Sequence, residues 1–270
     1  MHPEARHFTE WVKSILPWAF KNRRCLDAGG GDINGNNKIL FDWDTGTVVR
    51  YQCNDIGDAP NVTVVGATKD LEFPDEHFDT IISTECFEHD AQYEDSLRKI
   101  VQMLKPGGVF LFTCASTGRA EHGTRRTSPW ESWGTKDGNE HFQDYYKNLT
   151  IEDIKKAIPV DDIFEEWVSY YGGYNDLYFL GIKTGGTART LCIPPYVGNP
   201  RGTCLTGGNM VFCLQNDQFE LESRTTVHYG VGDRWNSLTL DAGTYIADDA
   251  LFGDPYLGAY KMCRLERDIS

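Results

Sequence analysis

From residue 24 to about residue 183, short apolar runs alternate with amphipathic stretches. A strand begins at Leu26, and a second covers 48–54 and ends at Asp55. Further strands are expected at 62–65, 78–83 and 109–114. Between the last two, Leu97, Ile100, Val101 and Leu104 recur at helical spacing and predict a helix over 96–104. Lys105-Pro106-Gly107-Gly108 stops it, because proline cannot continue a helix and glycine permits the turn. Residues 165–170 and 177–183 read as two closing strands joined through Gly172-Gly173. The alternation predicts an α/β domain: a mostly parallel, seven-stranded sheet with helices on both faces. Ahead of it, Phe8, Trp11, Val12, Ile15 and Leu16 form the apolar face of a helix expected to pack on its own domain.

The pattern changes beyond Ile182. Residues 183–186, Pro194-Pro195 and 198–202 mark a linker, drawn at 186–208 between a first domain over 1–185 and a module over 209–270. In that module short alternating runs at 211–214, 219–222, 225–229 and 237–240 are separated by Gly and Asp turns, which predicts a small all-β C-terminal domain. Its Tyr229, Trp235 and Tyr256 either stack on sugar rings or, the reading preferred, fill a small core.

Composition narrows the function classes. The chain has 270 residues and a formal net charge of −14, against the clustered Lys and Arg that a nucleic-acid backbone requires. No apolar run is long enough for a membrane span, and Glu4, Glu10 and two prolines stand where a signal peptide has its apolar core, so a cytoplasmic location is expected. Cys25, Cys53, Cys86 and Cys114 fall on or beside strands, as small buried hydrophobes. Cys192, Cys204, Cys213 and Cys263 show no C-x-x-C pairing, which argues against zinc and leaves one or two disulfides open among them.

The first strand runs into Gly29-Gly30-Gly31, a turn that lets a ligand approach the main chain without meeting a Cβ. Such a turn between strand and helix is where α/β folds hold nucleotide-like cofactors. Asp55, at the end of the second strand, stands where an acidic residue binds ribose hydroxyls, although Asp also caps helices and turns. A Rossmann dehydrogenase is the alternative for the cofactor, but Gly-x-Gly-x-x-Gly is absent.

Taken in order, the 26–31 segment Leu-Asp-Ala-Gly-Gly-Gly, Asn54-Asp55-Ile56, the 71–79 segment, the 81–89 segment ending Phe87-Glu88-His89, and Leu104-Lys105-Pro106-Gly107-Gly108 resemble class I S-adenosylmethionine-dependent methyltransferases, the type 11 group most of all. The resemblance covers about 24–183 and implies a Rossmann-like fold with S-adenosyl-L-methionine as cofactor. It implies that Gly29, Gly30 and Gly31 lie against the methionine part with Asp27 nearby, and that Asp55 grips the ribose. Ile56 lies along the adenine, Ala67-Thr68-Lys69 border its amino group with Thr68 as the polar contact, and Thr84 and Glu85 line the pocket. Asp32-Ile33-Asn34-Gly35 departs from the family's usual continuation of the glycine turn. Carboxylates at strand ends suit a sulfonium ion.

The long segment 115–149 starts at the ligand edge of the sheet and is rich in His, Arg, Trp and Tyr. Methyl transfer requires an aligned acceptor and, for a hydroxyl or ammonium, removal of a proton. His122 is the first candidate base, and His141, with Asp144 near in sequence, the second. His89 and Glu88 are expected to shape the site through hydrogen bonds. Arg119, with Arg125 and Arg126, is placed to clamp an anionic group of the substrate, and Tyr145 or Tyr146 to hold a substrate face. The expected activity is transfer of a methyl group to an oxygen or nitrogen of a small-molecule or glycan acceptor. The β-module would recruit that acceptor or make a homo-oligomer. The contrasting expectation is a non-catalytic scaffold that binds the cofactor while the 115–149 segment fills the acceptor pocket.

Overall fold

A computed structural model describes residues 2–33, 35–41, 51–136, 142–172, 174–186, 205–206, 213–214, 216, 218–221, 224–231, 234–257 and 261–265. The chain divides into two compact units, Met1–Glu166 with Tyr174–Ala188, and Trp167–Gly173 with Arg189–Ser270.

The first unit opens with helix α1 (Pro3–Ile15), whose Phe8, Trp11, Val12 and Leu16 are buried. Phe8 meets Tyr178 edge-on at 5.3 Å, so the helix packs on its own sheet. The strands are β1 (Cys25–Ala28), β2 (Tyr51–Asp55), β3 (Val64–Val65), β4 (Phe78–Thr84), β5 (Leu104–Ala115), β6 (Phe164–Tyr171) and β7 (Asp176–Lys183), with helices α2 (Tyr93–Met103), α3 (Ile151–Ala157) and α4 (Val160–Ile163) among them. The strand order is β3-β2-β1-β4-β5-β7-β6. Pairings from β3 through β5 are parallel, and β7 runs antiparallel to β5. The sheet is therefore mostly parallel and Rossmann-like. Within the second unit, Val168 and Ser169 of β6 pair antiparallel with β8 (Leu205–Thr206).

The middle strands are buried on both faces, as strands covered by helices must be. Phe112 and Phe179 stack at 5.1 Å between β5 and β7, and Phe87 meets Phe112 edge-on at 5.3 Å. The helical segments form two packed groups, α1 with the turns at Pro17–Ala19 and Lys38–Leu40, and α2 with the turn at Thr68–Asp70 and with α3. α3 starts on a capping box, with Thr150 Oγ1 accepting from the Asp153 amide and Asp153 accepting from the Thr150 amide.

Helix α2 ends at Met103, and Lys105-Pro106-Gly107-Gly108 is a bulge within β5. Phe78 pairs with Leu104 and Thr80 with Val109, so only Asp79 stands opposite four residues. Gly107 takes a φ of 71° there, a conformation favouring glycine. The expected third strand shortens to Val64–Val65, and the start of the second, 48–50, lies outside the described residues.

Among the described residues the second unit also contains β9 (Cys213–Leu214), β10 (Gln218–Leu221), β11 (Thr225–Val231), β12 (Arg234–Leu240), β13 (Gly243–Ile246) and β14 (Met262–Leu265), with the short helix α5 (Asp249–Phe252). A four-stranded sheet has the order β12-β11-β14-β9, and β10 pairs with β13. β13, α5 and β14 are additions to the elements expected from the sequence. Tyr229 is fully buried, stacks on Phe252 at 5.0 Å and donates to Asp249 at 3.0 Å, which rules it out as a sugar platform. Cys263 is a buried free thiol, while Cys192 and Cys204 lie outside the described residues. Among the described residues no helix is long and apolar enough to cross a membrane.

Candidate functional site

The chain leaves β1 outward to β2 and β3, then returns to β4 on the other side of β1. This reversal leaves a crevice at the carboxyl ends of β1 and β4, the place where open α/β sheets bind ligands. A cleft of about 200 Å³ opens there. It brings together Asp27, Gly29, Gly30, Gly31, Asp55, Ile56, Thr84 and Glu85 from the strand ends, with Arg119 and His122 from the loop after β5.

The glycine turn wraps tightly over the end of β2. Gly29 and Gly30 donate to the Asn54 carbonyl at 2.9 and 3.1 Å, and Gly31 donates to Asp55 Oδ2 at 2.9 Å. All three amides are thus engaged, so the turn offers close approach rather than the bare donors of a phosphate cradle. Side chains are excluded sterically. Gly29 has a φ of 70°, and a Cβ on it would fall on Cys86 Sγ. A Cβ on Gly31 would lie 2.5 Å from Asp55 Oδ2 and 2.7 Å from the Trp133 indole.

Asp55 also accepts from the Ile56 amide at 2.7 Å. Burial nevertheless outweighs these hydrogen bonds and raises its pKa from 3.8 to about 6. Behind the turn, fully buried Asp27 accepts from Tyr51 at 2.6 Å and from Asn37 at 3.2 Å; burial raises its pKa as well. Asn37 also donates to Thr84 Oγ1 at 3.1 Å, tying the ends of β1 and β4 together.

Glu85 sits just after β4 with a φ of 54°. Its carboxylate accepts from Thr113 at 2.7 Å and faces His2 Nε2 at 3.1 Å. His2 also meets Asp176 at 2.8 Å, and Arg119 meets Asp176 at 3.1 Å. Burial alone would raise the Glu85 pKa, but His2, Thr113 and Arg119 bring it down to about 2. Burial alone would lower the His2 pKa, yet Asp176 and Glu85 raise it to about 10, so His2 is an imidazolium at neutral pH. Among the described residues five acidic side chains line the cleft, those of Asp27, Asp55, Glu85, Asp90 and Glu131, against the cations of Arg119 and His2.

Several expectations from the sequence change here. Thr68 does not line the cleft: its buried hydroxyl accepts from Asn54 Nδ2 at 3.1 Å, and Ala67 lines the cleft instead. Neither Tyr145 nor Tyr146 is in the lining; Tyr146 packs behind it against His89 at 5.6 Å and His122 at 5.0 Å. Arg119 is committed to Asp176 and to the Tyr174 carbonyl, so it anchors the wall instead of reaching for a substrate. Arg126 pairs with Glu121 at 2.7 Å. His141 lies outside the described residues, and Asp144 accepts from the Arg125 amide at 2.9 Å.

Four contributors escaped the sequence reading. Trp133 lies over Gly31 and Gly57, with the Lys136 ammonium 3.2 Å from its ring centroid. Gly134 faces Ile56, so the 132–134 segment roofs the cleft. His2 and Asn37 complete its back. None of the four belongs to a periodic pattern.

The methyltransferase domain family model matches residues 37–112, which run from Asn37 through β2 and β4 into β5. A comparison with curated proteins finds no match. Solved structures similar to the chain include a Haloferax volcanii methyltransferase in complex with the Trm112 methyltransferase activator, at 17% identity over 67% of this chain and 94% of that one, with a TM-score of 0.40. A Burkholderia thailandensis 1,6-didemethyltoxoflavin-N1-methyltransferase with bound S-adenosylhomocysteine is 15% identical over 67% and 84%, with a TM-score of 0.41. A Thermotoga maritima protein described as a possible histamine N-methyltransferase is 14% identical over 67% and 98%, at 0.42.

Proposed function

We propose that this chain, which carries a class I S-adenosylmethionine-dependent methyltransferase domain, methylates an oxygen or nitrogen of a small-molecule or glycan acceptor bound beside Glu85, His89 and His122. The observation that carries the reading is the acidic cleft at the chain reversal. Its glycine cradle has spent its amides internally and excludes any Cβ, while its rim carries carboxylates. These residues fit S-adenosylmethionine, whose sulfonium and ammonium are positive and whose ribose supplies hydroxyl donors. When bound, the cofactor supplies a methyl group on a positive sulfur that leaves as a neutral thioether.

The chain's own residues then have separate tasks. Asp55 accepts from the ribose hydroxyls through lone pairs left by the Gly31 and Ile56 amides. Gly29, Gly30 and Gly31, with Asp27 behind them, take the methionine part. Ile56, with Gly134 packed against it, offers one face to the adenine, and Trp133 excludes water above the glycine turn. The His2–Glu85–Asp176–Arg119 group fixes Glu85 as a carboxylate at the donor end of the cleft. His122 accepts the acceptor's proton. Its Nδ1 lies 3.2 Å from the Ala120 carbonyl, to which it donates, and this leaves the Nε2 lone pair available. Residues 1–185 hold this machinery, and residues 209–270 serve as an accessory module for acceptor recruitment or self-association.

The test is a panel of hydroxyl and amine acceptors incubated with the full chain and S-adenosylmethionine, with products analysed by mass spectrometry. A methylated oxygen or nitrogen on one acceptor class supports the reading. Methylation at carbon overturns the assigned acceptor, and His122→Ala with unchanged turnover overturns the base.

A further inference from the structure

One wall of the cleft carries a cluster whose arrangement exceeds what proton removal needs. Glu88 and His89 belong to the single turn Phe87–His89 that follows β4, and His122 arrives from the loop after β5. Each offers one ligand atom, and the three atoms lie within 4.8 Å of one another. Glu88 is fully buried. One of its oxygens accepts from the Ala115 amide at 3.2 Å, and Oε2 has no hydrogen-bond partner. His89 Nδ1 is likewise buried without a partner, and its ring lies beside the Tyr145 backbone. His122 holds its Nδ1 against the Ala120 carbonyl, which turns the bare Nε2 into its ligand atom. Outer N–H groups fixed by backbone carbonyls, with the other ring nitrogens free, are the arrangement that orients metal-bound histidines. Leaving a buried carboxyl oxygen and the buried His89 Nδ1 together without a hydrogen-bond partner is costly to the fold. Gly123 packs closely against the His89 ring, since a Cβ on it would sit 2.5 Å from His89 Cε1.

We propose that Glu88, His89 and His122 bind a divalent transition-metal ion on the cleft wall. Two imidazoles and one carboxylate suit zinc, iron(II), manganese(II) or cobalt(II) and leave coordination positions open. His89 and His122 line the cleft, so those positions face the acceptor. The acceptor class this selects has a hydroxyl that ligates the ion. The ion acidifies that hydroxyl: its O–H bond breaks, the electron pair stays on oxygen and the proton passes to cleft water. In the metal-bound protein His122 acts through the ion rather than as the free base. The neighbouring His2, Glu85 and Asp176 form a different kind of group, because His2 is protonated between the two carboxylates and has no lone pair to give.

Use of the ion rests on the methyltransferase reading, but its binding does not. The experiment therefore measures the two separately on the full chain. Protein stripped with a chelator is titrated with cobalt(II), followed by visible absorption, and in parallel with S-adenosylhomocysteine by calorimetry. One cobalt per chain with ligand-field bands is expected. His122→Gln and Glu88→Gln should each weaken that binding by more than about tenfold, the first without altering S-adenosylhomocysteine affinity. His122 lies in a loop, which keeps the test valid should Glu88→Gln fail to fold. Absence of cobalt binding in a chain that binds S-adenosylhomocysteine overturns the metal site alone. So does cobalt affinity that is equal in His122→Gln. Cobalt binding without S-adenosylhomocysteine binding supports the site and overturns the cofactor reading.

Discussion

Asp55 gives the cofactor pocket a pH signature. Burial holds its pKa at about 6 instead of 3.8, so the carboxylate is almost wholly ionised at pH 7.5. At pH 5 only about one site in ten is ionised. If the ionised form accepts both ribose hydroxyls, S-adenosylhomocysteine affinity should fall about tenfold from pH 7.5 to pH 5. The folding linkage has the opposite sign. A folded-state pKa raised above the unfolded value means that ionisation opposes folding as pH rises from about 4 to about 6, at a cost of about 3 kcal/mol by neutrality. The cofactor-free chain should therefore lose stability over the window in which it gains affinity. Affinity is read by tryptophan-fluorescence titration at stepped pH, with Asp55→Asn as the control that removes the titration. A flat wild-type profile, or an unchanged slope in Asp55→Asn, would refute the assignment.

Other perturbations probe the surrounding geometry. Gly29→Ala forces a Cβ onto Cys86 Sγ at a φ of 70° and should cost about 2 kcal/mol or more in chemical denaturation, together with cofactor binding. The His2 pKa is raised from 6.5 to about 10, so its stabilising effect is complete below about 6.5 and lost as pH rises through 10. His2→Gln should accordingly lower Tm at pH 7 and make little difference above pH 10; equal losses at both would contradict the ionic role. Trp133→Phe should remove most of the fluorescence change on S-adenosylhomocysteine binding, since that indole lies on Gly31; a retained signal would assign it to another tryptophan.

What could be read from the chain follows from where its signals are local. The strands beginning at Leu26, Phe78, Val109 and Leu177 are apolar runs bounded by glycine, proline or acidic turns, and the fold follows from their spacing. The strand-end residues Asp27, Asp55, Thr84 and Glu85 were legible for the same reason: a strand's end fixes its place at the crevice. Thr68 was misplaced by one position because the tight turn at Thr68–Asp70 points its hydroxyl to Asn54 and leaves Ala67 facing the cleft. Tyr145 and Tyr146 lie in a loop without period-two or helical spacing to tell its sides apart, and neither lines the cleft. Trp133, Asn37 and His2 act through long-range contacts, and such contacts leave no local pattern. In the second unit β13 and β14 were missed, the former a four-residue strand with alternating exposure that pairs with the distant β10 and the latter a strand of only four residues.

The central claim is that the cleft over Gly29–Gly31 and Asp55 binds the methyl donor. Calorimetry of the full chain with S-adenosylmethionine and S-adenosylhomocysteine at pH 7.5 tests it most directly. The account predicts one site per chain for each ligand, weakened more than about tenfold in Asp55→Ala as the ribose hydrogen bonds are lost. Absence of binding to both ligands, or an unchanged affinity in that variant, would contradict it.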